Sequence, residues 1–182
     1  MKIKKDLTSV RIKTDRLILL PIDYLHAEEI FTNFDTGITQ YMFPKPAENI
    51  GGTNAFIKTA LEELANGTTL QLQILVDNTN EFIGCAGLHR IDSQNPELGI
   101  WIKKTSHGNG YGIEAITGMI IWARENLEFD YLAYPVDKRN YPSRRIPEKN
   151  GGILGREFKK INQAGFELDM IEYWIYKYHL FD

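Results

Sequence analysis

The stretch Glu97–Ala123, "ELGIWIKKTSHGNGYGIEAITGMIIWA", decides how the chain is read. Its opening, "ELGIWIKK", has the length and composition of a strand. Its close places Ile113, Ile116, Ile120 and Ala123, with Met119 beside them, on one helical face. Between the two, "SHGNGYG" sets glycines at positions 108, 110 and 112. Glycine weakens strands and helices alike, so three at one junction mark a main chain that must come close to something. The first amides of a helix lack internal partners and sit at the positive end of its dipole. A strand, a bare loop and a helix start therefore suit an anion such as a diphosphate. The plainer alternative is a flexible turn between strand and helix.

Other glycine motifs fit poorly. A P-loop ends in Gly-Lys-Ser/Thr, whereas "GYGIE" follows here. The dinucleotide fingerprint belongs to a first parallel strand and spaces its last two glycines more widely. This strand instead ends a run of three, "TLQLQILVD", "EFIGCAGLHRID" and "PELGIWIKK", joined by the short turns "NTN" and "SQN". Connections that short require antiparallel hairpins.

Upstream, "VRIKTDRLILLPI" reads as two short strand runs about Thr14 and Asp15. Asp23 is expected to cap a helix over "DYLHAEEIFTNF", with Leu25, Ala27, Ile30, Phe31 and Phe34 on one face. After the loop "FPKPAEN" a second helix, "NAFIKTALEELANG", carries Phe56, Ile57, Ala60, Leu61 and Leu64. Gly67 closes it, and Gly51 and Gly52 are expected just ahead of it. Downstream come a strand "FDYLAYPVD", a short helix "NYPSRRIPEKNGG", and a last pair of strands, "ILGREFKKI" and "LDMIEYWIYKY". There is no repeat, low-complexity segment or linker. One mixed α/β domain over residues 1–182 is expected.

Composition narrows the function. The chain is 43% hydrophobic and 25% charged with a net charge of −3, so a basic nucleic-acid-binding surface is not expected. No apolar run approaches the roughly eighteen residues of a membrane helix. The basic start "MKIKKDLTSV" lacks a following apolar segment, and the single cysteine, Cys85, fits a reducing compartment. A cytoplasmic protein is expected. Four scattered histidines, His26, His89, His107 and His179, give no paired metal-ligand spacing, so no metal site is expected.

The stretch from Glu97 to Ala123 resembles the acetyl-CoA-binding core of the GCN5-related N-acetyltransferases (GNAT). That family has a strand, Arg or Gln, two residues, Gly, one residue, Gly or Ala, then a helix. His107, Gly110 and Gly112 occupy the matching positions, with Gly108 inside. "TDRLILLPID" is similar to the opening of the branch that acetylates ribosomal-protein N-termini, the RimJ/RimL-like enzymes. "NYPSRRIPEKNGG" is similar to that branch's late helix. Together the segments span about residues 14–178. The resemblance implies a mostly antiparallel mixed sheet with helices on both faces, and a cofactor cleft where the family's fourth and fifth strands splay apart. It implies acetyl-CoA as co-substrate and direct attack by a primary amine. Ile100, Trp101 and Ile102 would line the cofactor along the strand, and His107, Gly108, Asn109, Gly110, Tyr111 and Gly112 would hold its diphosphate. His107 departs from the usual Arg or Gln; imidazole donates one hydrogen bond when neutral and gains charge when protonated. Pro135, unable to donate to a sheet ladder, fits a strand with one unpaired edge.

Acetyl transfer needs a neutral amine, a stabilised oxyanion and a proton for the leaving thiolate. Glu97 is the candidate base, directly or through water; a solvated strand start is the alternative. By resemblance Ser143 is the thiolate-side donor, with Asn140 orienting it or binding the pantetheine; both residue types also suit a helix start. A backbone N–H near Ile100 or Trp101 would meet the oxyanion. Cys85, within "FIGCAGL", reads as core, Glu114 as a stabiliser of its helix start, and Lys103, Lys104 and Lys149 as solvated cations able to meet phosphates. The acceptor is expected to be a protein or peptide N-terminus, with a polyamine or aminoglycoside-like amine as the second choice. A catalytically idle acyl-CoA-binding module is the rival. A homodimer stays open.

Overall fold

Alternating apolar residues set the strands, and glycine, asparagine and proline punctuate them. In the computed structural model, which describes residues 7–178, β1 (Ile12–Lys13) and β2 (Leu17–Pro21) fold about Thr14, whose N–H donates to the Leu17 carbonyl at 2.9 Å. Helix α1 (Ala27–Asn33) begins later than expected. The Asp23 carboxylate accepts the Leu25 N–H at 2.8 Å in a turn ahead of the helix instead of capping it. Such a local side-chain bond competes with helix formation, and Leu25 is left exposed, off the buried face. A single turn, α2 (Thr36–Thr39), follows under an Asp35 cap.

Gly51 and Gly52 lie inside α3 (Ile50–Asn66), a correction to their expected place before it. Asn49 caps this helix by accepting the Gly52 N–H at 3.3 Å, and a Cβ on Gly52 would stand 3.1 Å from that of Ala47. The glycine thus admits a close approach of the incoming chain. Gly67 ends the helix in the left-handed conformation.

Three hairpin-linked strands come next: β3 (Leu70–Val76), β4 (Phe82–His89) and β5 (Glu97–Ile102). Helix α4 (Tyr111–Asn126) leads to β6 (Tyr131–Asp137), α5 (Tyr141–Lys149), β7 (Ile153–Ile161) and β8 (Glu167–Tyr176). The strands form one sheet in the order β1-β2-β3-β4-β5-β6-β8-β7. Every neighbouring pair is antiparallel except β5 and β6.

Both faces of the sheet are covered. Phe34, at the end of α1, packs on the Trp101 ring with centroids 5.1 Å apart. On the opposite side a Cβ on Gly112 of α4 would lie 4.0 Å from Ile102 Cγ1. Trp101 and Ile102 are adjacent on one strand, so they point to opposite faces. Helices α1 and α3, which pack together, lie on the Trp101 face; α4, with α5 against it, lies on the Ile102 face. The core fills both layers, from Leu19, Leu72 and Ile74 to Ile116, Met119 and Leu132. Among the described residues no helix is long and apolar enough to cross a membrane.

Candidate active site

The one parallel pair is where the sheet opens. Between β5 and β6 a single residue pair, Glu97 with Ala133, keeps register. The direction of each backbone group on β5 follows from two bonds. Lys103 N–H donates to the Ile83 carbonyl of β4 at 2.8 Å, and Ala133 N–H donates to the Pro96 carbonyl at 2.9 Å. Backbone groups along a strand alternate sides, so odd-numbered residues face β4 and even-numbered ones face β6. Leu98 lies next to the surviving pair. The amides of Ile100 and Ile102 therefore open into the gap, whereas that of Trp101 turns to β4. Its indole lies within the aromatic cluster of Phe34 and Phe82.

The other wall obeys the same rule. Lys138 N–H donates to the Asp169 carbonyl of β8 at 2.9 Å, so even-numbered residues of β6 face β8. Pro135 turns its nitrogen toward the gap, where no ladder bond is lost.

The glycine loop stands at the head of this gap. A short 3₁₀ turn (Lys104–Ser106) leads to His107, then Gly108 and Gly110 at φ of 79° and 76°, a left-handed backbone that favours glycine. Gly110 is the N-cap of α4 and supplies no side-chain cap to the helix amides. Gly112 differs from the other two: a Cβ there would stand 3.1 Å from Ile146 Cδ1, so its bareness serves the packing of α4 on α5. His107 is exposed, and its Nε2–H donates to the Ile102 carbonyl at 2.7 Å. That bond fixes the tautomer. The neutral ring keeps only an acceptor, Nδ1, for anything beyond the loop.

A cation missing from the sequence reading stands beside the loop. Arg16 lies over the Tyr111 ring at 4.7 Å, and a Cβ on Gly110 would be 3.7 Å from its Nη2. Glu114 holds it there, accepting from Arg16 N–H at 2.8 Å, Arg16 Nε at 2.7 Å and the Thr14 hydroxyl at 2.6 Å. Burial pushes the Glu114 carboxyl up, but the bonds from Thr14 and Arg16 outweigh it and hold it below the usual carboxylate range. Glu114 thus ties the β1–β2 turn to the start of α4. Lys103 pairs with Glu81 at 2.7 Å, while Lys104 and Lys149 are exposed.

Across the gap, Asn140 caps α5 by accepting the Ser143 N–H at 3.3 Å. The Ser143 hydroxyl lies 2.9 Å from that of Tyr134, a buried residue of β6 that sequence reasoning did not single out. Only its alternation onto the α5 side of β6 could have marked it. Burial pushes the Tyr134 phenol far above its ordinary range.

Glu97 faces the α1/α3 side, where its carboxylate pairs with Arg90 at 2.9 Å. His89, its neighbour across β4, also lies on this face, and burial lowers its pKa against the opposing pull of Glu97 and Glu63. A cavity of about 510 Å³ opens beside them, lined by Arg90, Asn95, Tyr131, Arg156, Glu172 and Trp174 among others. Glu172 is buried and accepts from Arg156 Nε and Nη2, each at 3.0 Å, and from Trp174 Nε1 at 2.8 Å. Asn95 Oδ1 is buried with no hydrogen-bond partner among the described residues. Cys85 is buried in β4, and burial pushes its thiol far above the ordinary range. The described residues hold no group of three or more His, Cys, Asp or Glu suited to a metal ion.

The structure therefore gathers Ile100, Ile102, the loop from His107 to Gly112, Asn140 and Ser143 around one gap. Glu97 sits at its closed end. Trp101 turns its amide to β4 and its side chain into the aromatic cluster.

The family model described as "Acetyltransferase (GNAT) domain" matches residues 16–153. The uncharacterized N-acetyltransferase p20 of Bacillus licheniformis is 25% identical over 136 residues, 73% of this chain and 76% of that protein. The provisionally named ribosomal N-acetyltransferase YdaF of Bacillus subtilis is 27% identical over 138 residues, 72% and 74% of the two chains. Among solved structures, the microcin self-immunity acetyltransferase MccE, in complex with acetyl-CoA and AMP, superposes with a TM-score of 0.82. Its identity is 21%, covering 94% of this chain and 98% of that one.

Proposed function

Because the chain belongs to the GNAT acetyltransferase family, an N-acetyltransferase family, we propose that it moves the acetyl group of acetyl-CoA to the α-amine of a protein or peptide N-terminus by direct attack. The observation that carries this reading is the gap between β5 and β6, with the free amides of Ile100 and Ile102 on one wall and the uncapped start of α4 at its head. The loop amides and Arg16 suit the diphosphate, and the β5 edge suits the amide-bearing pantetheine arm, which would complete the interrupted ladder. The complex of MccE with acetyl-CoA supports the same placement by likeness of fold.

Chemistry divides between the two faces. The Ile100 N–H is aimed where a thioester oxygen would gain charge, and preorganised donors of this kind stabilise a tetrahedral oxyanion. The amine approaches from the α1/α3 side, where Glu97 takes its proton directly or through water. As the C–N bond forms and the C–S bond breaks, the electron pair passes to sulfur. Ser143, on the α5 side, donates a hydrogen bond to it, and the proton lost by the amine balances the thiolate through solvent.

The choice of α-amine follows from proton cost. An α-amine of pKa about 7.8 needs about 1 kcal/mol to be neutral at pH 7, against about 4.6 kcal/mol for a lysine of pKa about 10.4. Glu97 is half-exposed and tied to Arg90, a modest base better matched to the smaller demand. The provisional ribosomal name of the Bacillus subtilis relative points the same way. A cytoplasmic setting, where acetyl-CoA and nascent N-termini meet, is part of the proposal.

A thiol-release assay tests it, with acetyl-CoA and a panel of peptides of varied first residue, N-blocked lysine peptides, polyamines and aminoglycosides. Peptides with free N-termini are expected to turn over and N-blocked ones not to. Turnover with small amines alone would move the acceptor class. Tight acetyl-CoA binding without thiol release across the panel would leave an acyl-CoA-binding module instead.

A further inference from the structure

The hydroxyl pair at the foot of α5 has a direction. Tyr134 is 2% exposed, and its hydroxyl has one partner among the described residues, Ser143 Oγ at 2.9 Å. A phenol held this deep stays protonated, so its hydrogen must be donated or left unsatisfied. Leaving a buried donor unmade costs more than the bond itself yields. Either oxygen could donate on distance alone, but Ser143 is only half-buried and its hydroxyl has solvent as a second outlet, whereas Tyr134 has none. Tyr134 therefore donates and Ser143 Oγ accepts. The serine's own O–H is left for another acceptor.

The frame around the pair is stiff. Asn140 Oδ1 holds the Ser143 amide from the helix side. On β6, Tyr134 is in register with Tyr173, whose hydroxyl is itself held between Arg144 and Glu148 of the same helix. Tyr134 and Tyr173 of the sheet, Arg144 and Glu148 of α5 and its N-cap Asn140 thus fix where the Ser143 oxygen lies.

We propose that Tyr134 is a positioning residue for thiolate departure: its phenol orients the Ser143 hydroxyl so that the serine O–H points at the sulfur of the thioester. The inference rests on the reading of Ser143 as the thiolate-side donor. Tyr134 itself neither touches the substrate nor gives up its proton. A bond donated to Oγ also strengthens Oγ as a donor, since successive hydrogen bonds polarise one another.

The test is a mutant cycle in the full-length protein, with Tyr134→Phe, Ser143→Ala and the double variant. Turnover is measured at saturating acetyl-CoA with the best peptide of the thiol-release panel, and the Kd for coenzyme A by calorimetry. Tyr134→Phe keeps the ring and should leave coenzyme A affinity unchanged while kcat falls roughly tenfold, the scale of one oriented hydrogen bond. In the Ser143→Ala background the same change should cost nothing further, because its route is gone. A Ser143→Thr background, which retains a hydroxyl, should restore the sensitivity. Equal losses from Tyr134→Phe with and without the Ser143 hydroxyl would reduce Tyr134 to a packing residue and overturn the proposal. A slow Ser143→Ala beside a fast Tyr134→Phe would overturn the Tyr134 role alone, whereas a fully active Ser143→Ala would remove the donor and this inference with it.

Discussion

Glu114 offers the sharpest test of how the cofactor end of the cleft is built. Its side chain is 16% exposed and accepts three hydrogen bonds from two residues about a hundred positions away, Thr14 and Arg16. In Glu114→Gln one oxygen survives to accept from Thr14 or the Arg16 amide, but the other becomes an NH₂ facing the Arg16 guanidinium. Hydrogen bonds to charged groups contribute about 1.5–3 kcal/mol each. Arg16, 50% exposed, recovers part of that from water, and the surviving oxygen keeps part of the rest, leaving a loss of about 2 kcal/mol. With a urea m-value of about 2 kcal/mol per molar, the midpoint should fall by about 1 M at pH 7.

Glu114 titrates below the ordinary carboxylate range in the folded chain, so its stabilisation is complete above the unfolded value of about 4.3. It is lost as pH falls through the lower folded value. The gap between the parent protein and Glu114→Gln should therefore be full at pH 7 and close on acidification below about pH 4. The assay is urea unfolding followed by tryptophan fluorescence at stepped pH. Equal midpoints at neutral pH, or a gap that persists unchanged into acid, would refute the clamp as described.

Two further outcomes follow from the loop. Gly110→Asp should bind coenzyme A at least tenfold more weakly by calorimetry, because it adds negative charge at the anion site on a residue whose left-handed backbone costs roughly 1–2 kcal/mol without glycine; unchanged affinity would place the diphosphate elsewhere. His107→Phe should bind coenzyme A more weakly, by about fivefold, because it removes the Nε2–H bond to the Ile102 carbonyl that holds the loop. Unchanged affinity in that variant would show that the loop keeps its shape without the imidazole.

Much of the fold was legible because its signals are local. The three hairpin strands, the apolar stripe of α4 and the cap at Gly67 each declare themselves within a dozen residues. Where the reading slipped, a short-range side-chain bond had won. Asp23 made a turn ahead of α1, and Asn49 drew Gly51 and Gly52 into α3. Pro135 marks an unpaired edge in the sequence, and it sits on one.

By itself the sequence determined the order of elements, the bare strand-to-helix junction at 108–112, the inert core position of Cys85 and the family, since periodicity, glycine placement and motif spacing are properties of neighbouring residues. Only the tertiary structure decided which amides of β5 face the gap, that Gly112 serves helix packing, that Arg16 is carried to the loop by Glu114, and that Tyr134 meets Ser143. These depend on strand parity and on contacts between elements laid side by side by the sheet. Pattern along the chain specifies which face a residue occupies; only the packing of faces specifies what it touches there.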